Sequence, residues 1–243
     1  MPEMRQLHVY DCALMGAVQL RVFLATMMVA GSFAIALVAA TPAPAEPETC
    51  PPVCDQIPSS AWIDRRSIPL HSVYDWPDLG GIDTAVTGGG TPQFKFEQVC
   101  NTTALPKDSR NSAVTARAMV AQPDGQWQLY AQIVHWRGDT ARGGALAASV
   151  FSTAVAALRG CQLGAAAQSP SITDDESTRM AAVVSGPLIL HTYLVAHVAS
   201  STISELTLWA AGTPRVPWPV LNDATVLDAL IAPLCGAYIA SCP

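Results

Sequence analysis

Gln126–Trp136 reads QWQLYAQIVHW, and Arg142–Cys161 reads RGGALAASVFSTAVAALRGC. The fold class turns on these two segments. In the first, Trp127, Leu129, Ala131 and Ile133 alternate with Gln126, Gln128, Tyr130 and Gln132. A period of two with one apolar face predicts an antiparallel strand in a sheet covered on one side. In the second, Leu146, Val150, Ala154, Ala157, Leu158 and Cys161 recur at helical spacing, and Gly160 offers a stop. A helix is expected over 142–160. It should lie on the apolar face of the sheet, with Cys161 tying its end to a neighbouring element.

Working outward, Pro123-Asp124-Gly125 is a hairpin turn signal, and Val114–Ala121 is the strand it joins to the first segment. Phe94–Val99 alternates like a further short strand. Val73–Pro92 carries Pro77, Gly80-Gly81 and Gly88-Gly89-Gly90, and reads as a long loop. The glycine triplet lacks a following Lys or helix start, so it is not a phosphate cradle. Beyond the helix, Met180–Val184, Leu188–Val198 and Ile203–Ala210 read as three strands. Asp174-Asp175-Glu176 before them reads as a solvated loop. The chain closes in a helix expected over Ala224–Ala240, capped by Asn222 or Asp223 and kinked or split by Pro233. One more helix is expected to start at Ser59 or Ser60 and run through Trp62 and Ile63. The expected architecture is α+β: about six antiparallel strands packed by about three helices in one domain, 59–243.

The chain has 243 residues, of which 50% are apolar and 13% charged. The charged share is far below the usual share of about a quarter, which excludes disorder driven by charge. A formal charge of −6 excludes the basic footprint of a nucleic-acid binder.

Residues 1–45 read as an export signal. Val22–Ala40 is uncharged, Arg21 precedes it, and Ala43-Pro44-Ala45 has the small residues that a signal peptidase accepts. Cleavage is expected after Ala45, with translation from Met15 giving a compact basic region. The alternative is an anchor over 22–40, which would bring membrane contact. Cys50 follows Pro47-Glu48-Thr49, which is not a lipidation site. Residues 46–58 form a Pro-rich spacer. After cleavage six cysteines remain: Cys50, Cys54, Cys100, Cys161, Cys235 and Cys242. An even count suits three disulfides in an oxidising compartment. Six cysteines allow 15 pairings. The pairing expected is Cys50–Cys54 and Cys235–Cys242 as local loops and Cys100–Cys161 as a long-range staple. Cys50 and Cys54 are separated by three residues, two of them Pro, and no matching Cys/His pair follows. Structural bridges therefore account for them better than a metal or redox motif.

No catalytic motif is present: G-x-S-x-G and H-E-x-x-H are both missing. No catalytic residue, metal ligand or cofactor is assigned. His191 and His197 are six apart on one expected strand and share a face with Tyr193. With His135 from another strand they could meet a metal, yet a plain polar patch explains them as well. Arg137-Gly138-Asp139 reads as a tight turn before a helix. Trp76 and Trp218 fall in Pro-rich loops, where exposed rings would mark a ligand or partner surface. The alternative is that they cap the core. Trp76, Trp218, His191, Tyr193 and His197 form the expected surface, with 73–92 and 211–221 rimming a groove.

The signal, the Pro-rich spacer, the strand–hairpin–helix ending Ala156-Ala157-Leu158-Arg159-Gly160-Cys161, the three strands and the final helix together resemble small secreted or anchored mycobacterial envelope proteins. They are similar to the extracellular sensor domain of certain mycobacterial receptor kinases and, more broadly, to PsbP-like α+β folds. The low Lys count, Lys95 and Lys107 alone, fits that setting. The resemblance spans about 58–240 and implies a non-enzymatic module that senses a ligand or assists transport of mycolate-type lipids. It assigns no residue a role, and the local cysteine pairs depart from its simplest pattern. The expected function is an exported binding or sensor-like module of the cell envelope. Its partner would be a small molecule, a lipid or an envelope protein. An accessory factor in lipid transport and a secreted hydrolase are the rivals.

Overall fold

The computed structural model describes residues 50–51, 54–87 and 91–242. The expected signal or anchor, the start at Met15, part of the spacer and Gly88–Gly90 lie outside the described residues. The strands are β1 (Thr84–Ala85), β2 (Val114–Val120), β3 (Gln128–His135), β4 (Ser169–Asp175), β5 (Arg179–Ser185), β6 (Leu188–His197) and β7 (Thr202–Ala211). They form one antiparallel sheet in the order β1-β2-β3-β7-β6-β5-β4. Two meanders thus meet where β7 pairs with β3, Leu206 opposite Ala131. The helices are α1 (His71–Tyr74), α2 (Lys95–Val99), α3 (Thr140–Arg159), α4 (Cys161–Gly164) and α5 (Asp223–Ala237). The fold is α+β, as expected, with seven strands in place of about six.

The hairpin turn forms at Gly125, whose φ of 75° suits glycine. Asp139 caps α3 by accepting the Arg142 N–H at 2.7 Å, so the Arg-Gly-Asp tripeptide is a turn and a cap. Asn222 caps α5 in the same way, accepting from Ala224 at 3.0 Å. The helix runs on through Pro233, which lacks the N–H that would bond the Ala229 carbonyl.

The sheet is covered on both faces, not one. The front face presents Leu129, Ala131, Ile133, Val195, Leu206 and Leu208. It packs under α5 (Val226, Leu227, Leu230, Leu234) and under the segment from Ala61 to Leu79. The back face presents Val134, Met180, Ala182, Leu190, Leu194 and Ile203. It packs under α3 (Ala147, Val150, Phe151, Ala154, Leu158) and under Phe94 and Phe96. The long helix therefore lies opposite the face that the Trp127–Ile133 alternation assigned to it, because α5 and the N-terminal segment occupy that face. Gly143 and Gly144 permit its docking. A Cβ at Gly144 would stand 2.5 Å from the Val198 carbonyl oxygen, and one at Gly143 2.5 Å from Ser201 Oγ.

Three local expectations are corrected. Phe94–Val99 is a helical turn, α2, because Glu97 accepts the Phe94 N–H at 2.7 Å and the Cys100 N–H closes onto the Phe96 carbonyl at 2.8 Å. The acidic run is partly strand: Asp174 and Asp175 end β4. This edge strand tolerates Pro170 and sets Asp175 against Arg159, and Asp174 and Glu176 against Arg179. The helix expected through Trp62 is a single turn, Ser59–Ala61, after which the chain extends. The loop 73–92 also contains a short turn at Leu79–Gly81 and the two-residue β1.

All three expected disulfides form. Cys100–Cys161 joins the end of α2 to the start of α4, with Cα atoms 4.7 Å apart.

Candidate functional site

His191, Tyr193 and His197 do share the front face of β6, as period two requires. That face is filled. The Trp218 ring lies on the His191 ring with centroids 3.6 Å apart and planes within 8°, and Trp127 meets it edge-on at 5.5 Å. The Tyr193 hydroxyl donates to Asp223 Oδ1 at 2.9 Å, holding the first turn of α5. His197 lies beside the Cys235–Cys242 bridge. The face expected to line a groove rimmed by 73–92 and 211–221 is thus covered by α5 and by the Trp218 ring.

Trp76 is not part of any surface. It is fully buried, its Nε1 donates to the Pro69 carbonyl at 2.8 Å, and Tyr74 stacks on it at 4.7 Å. Trp218 is half-buried. Both rings cap the core. The three imidazoles do not converge. His135 stacks on Tyr238 at 4.5 Å and pairs with Thr202 at 3.0 Å. His191 stands six residues from His197, roughly 20 Å along an extended strand. His197, Cys235 and Cys242 offer three donor atoms within 4.8 Å of one another, but both sulfurs are spent in the bridge.

The unusual chemistry lies on the back face, across the middle of the sheet. Glu205 of β7 stands opposite Gln132 of β3 and Leu194 of β6, and no part of it reaches solvent. Its Oε1 accepts the Lys95 N–H at 2.7 Å and the Thr207 hydroxyl at 3.2 Å. Its Oε2 has no partner among the described residues. Thr207 pairs with Thr192 at 2.9 Å. Gln132 Oε1 takes two donors, the Tyr130 hydroxyl at 2.9 Å and Arg117 Nε at 2.5 Å. At the rim, Lys95 Nζ lies 4.8 Å from the centre of the Trp209 ring, and Lys95, Arg117 and Trp209 are each half-buried.

A second buried cluster holds α2 over this layer. Arg110 Nη1 reaches Glu97 at 2.6 Å and its Nη2 reaches Asp108 at 2.7 Å, with all three side chains about as buried as the core. The guanidinium also lies 4.9 Å from the centre of the Phe94 ring. Hydrogen bonds from Arg110 hold the Asp108 carboxyl below its ordinary range despite burial.

No known protein family, characterised protein or solved structure matches this chain.

Burial pushes the Glu205 carboxyl up to about 8, so it is largely a neutral acid at pH 7. Burial likewise lowers Lys95 and raises Tyr130, the latter helped by the Glu205 charge. The layer is therefore a buried set of neutral donors and acceptors beneath α2, with Glu205 largely protonated at pH 7. Sequence reasoning missed Glu205. The readable signal is a carboxylate on the same face as Ile203, Thr207 and Trp209, the one charged residue of its strand. The alternation of β3 pointed away from it, because the Gln132 face read as solvated.

These shifts predict a pH profile for stability. Glu205, raised from 4.5 to about 8, holds a proton in the native state that the unfolded chain has lost, so stability falls as pH rises through that window. Burial pushes His191 from 6.5 down to about 4, so the native state lacks a proton that the unfolded chain holds, and stability rises across that window. The two oppose each other up to pH 6.5, and His197, also lowered by burial, adds to the rise. Above pH 6.5 the Glu205 slope remains, about 1.4 kcal/mol per pH unit. Urea unfolding of the wild type should weaken by roughly 2 kcal/mol between pH 6.5 and 8. Glu205→Gln should flatten that fall and be the more stable form at pH 8. A Gln variant that declines in parallel with the wild type would remove Glu205 as the cause.

Proposed function

We propose that this chain is an exported, non-catalytic binding module of a bacterial cell envelope, with the polar layer at Glu205 as the floor of its recognition site. The observation that carries the reading is a fully buried acid with an unpartnered oxygen, set among Tyr130, Gln132, Thr192 and Thr207 and rimmed by Trp209, Lys95 and Arg117. Such a layer costs folding free energy that an apolar one would not, so its presence points to a use in recognition. A neutral donor floor with an aromatic and cationic rim suits a polar small molecule or a lipid headgroup. Export is supported by the three bridges, which use all six cysteines that follow the expected cleavage site.

The hydrolase reading finds a serine beside a histidine, Ser200 Oγ at 2.7 Å from His197 Nδ1. That serine is buried, and its hydroxyl donates to the His197 carbonyl at 3.2 Å. It holds a turn and presents no open nucleophile.

Native mass spectrometry of protein purified from the envelope and the culture filtrate tests the proposal. A bound adduct is expected on the wild type and should be lost on Trp209→Ala with the fold retained. A bare mass together with ester, glycoside or peptide hydrolysis that disappears on His197→Ala would overturn it.

A further inference from the structure

We infer that Cys235–Cys242 is an exchangeable disulfide, able to pass its oxidation to a dithiol on another protein, with His197 as the proton carrier. Among the six bridged cysteines Cys242 alone is exposed, whereas Cys50, Cys100 and Cys161 are buried and Cys54 is half-buried. The exposed sulfur is the one closest to the imidazole: His197 Nε2 lies 3.5 Å from Cys242 Sγ and 3.9 Å from Cys235 Sγ.

The tautomer assigned is the one in which the Ser200 hydroxyl donates to the His197 carbonyl at 3.2 Å and its oxygen accepts the Nδ1 hydrogen at 2.7 Å. Nδ1 then carries the hydrogen, and Nε2 turns its lone pair to the sulfurs. Burial lowers the His197 basicity, so the ring is neutral at pH 7 and holds a proton only in passing.

The bridge can open without unravelling its surroundings. The Ser241 hydroxyl shares its one hydrogen among the carbonyls of Tyr238 at 2.7 Å, Leu234 at 3.0 Å and Cys235 at 3.2 Å, which holds the same loop closed without sulfur. Cys50 pairs with Tyr238 from the other side, its N–H on the Ala237 carbonyl at 2.7 Å.

The step balances with a dithiol as co-reactant. One thiol of the partner gives its proton to His197 Nε2 while its sulfur bonds Cys242 Sγ. The Cys235–Cys242 bond breaks, and Cys235 leaves as a thiolate that takes the proton from Nε2. The partner's second thiol then attacks its own sulfur in the mixed disulfide, releasing Cys242 as a thiol. The partner loses two electrons as its disulfide forms, and the pair gains them.

The test uses the full oxidised chain and a reduced dithiol peptide as probe, with timed alkylation and peptide mapping of each bridge. Cys235–Cys242 should open at least about tenfold faster than Cys50–Cys54, and Cys100–Cys161 should stay closed. His197→Gln should slow that opening by at least about tenfold, as loss of a positioned base does, with the other two bridges unchanged. Should that variant not fold, Cys235→Ser leaves Cys242 to trap a mixed disulfide with the oxidised peptide, more readily than free glutathione does. Wild-type opening no faster than that of Cys50–Cys54, an unaltered rate in a folded His197→Gln, or no trapping would each overturn the proposal.

Discussion

Replacing Arg110 with methionine should cost about 3–5 kcal/mol, the largest single-residue effect expected in this protein. The reason is what remains. Glu97 and Asp108 would face each other in a region where each side chain is about 5% exposed or less, with no cation between them. The Phe94 ring would also lose the guanidinium beside it. The loss should read as a lower urea midpoint by tryptophan fluorescence, with the slope unchanged. It should shrink in acid, for the following reason. In the wild type the Asp108 carboxyl lies below its ordinary value, so its contribution is present above that value and lost as pH falls through the lowered one. The triple variant Glu97→Gln/Asp108→Asn/Arg110→Met should recover most of the loss, because no charge is then left buried. A loss under about 1 kcal/mol in Arg110→Met would place this cluster with exposed ion pairs and contradict the packing described. The effect should also reach the back face, since α2 carries the N–H that Glu205 accepts.

Removing the Cys100–Cys161 bridge as Cys100→Ala/Cys161→Ala should cost about 4 kcal/mol, against about 2 kcal/mol for Cys50–Cys54. The difference follows from the chain each bridge closes, 61 residues of separation in one case and 4 in the other. The long loop contains β2, β3 and all of α3, so its closure restricts, in the unfolded chain, a segment that supplies about a third of the buried apolar residues. Both sulfurs are buried, and the alanines add a small cavity to the entropic loss. Thermal midpoints of the two double variants, measured side by side, test the ranking. Equal losses would mean that loop length does not govern these bridges.

The sheet and the two long helices were legible because their periodicities are clean. β2, β3, β5, β6 and β7 all lie where alternation and turn chemistry put them, α5 starts at the capping Asn222, and α3 starts two residues before Arg142 because Asp139 caps it. The errors have one physical source each. Phe94-Lys95-Phe96-Glu97 alternates like a strand, but a capping carboxylate and the distant Arg110 decide its conformation, and neither is local in period. β4 was hidden by Pro170 and by its acids, features an edge strand accepts and a central strand does not. The face that α3 covers was misassigned because Gln128, Tyr130 and Gln132 look solvated. In the fold, Gln132 and Tyr130 are buried by partners from β2 and β7 that no window along β3 contains. The same cause hid Glu205. The residues picked for a ligand surface were those whose chemistry is conspicuous. Trp76, Trp218, His191 and Tyr193 spend that chemistry on holding α5 and the Pro-rich loops, while His197 kept a free nitrogen face beside sulfur.

Oxidation of this polypeptide outside the cytosol underlies both its three bridges and its proposed role, and non-reducing peptide mapping of native protein from culture filtrate and envelope decides it. Cys50 linked to Cys54, Cys100 to Cys161 and Cys235 to Cys242, in material recovered outside the cytosol, is the outcome required. Free thiols on Cys100 and Cys161, or recovery of the chain in the cytosol alone, would refute it.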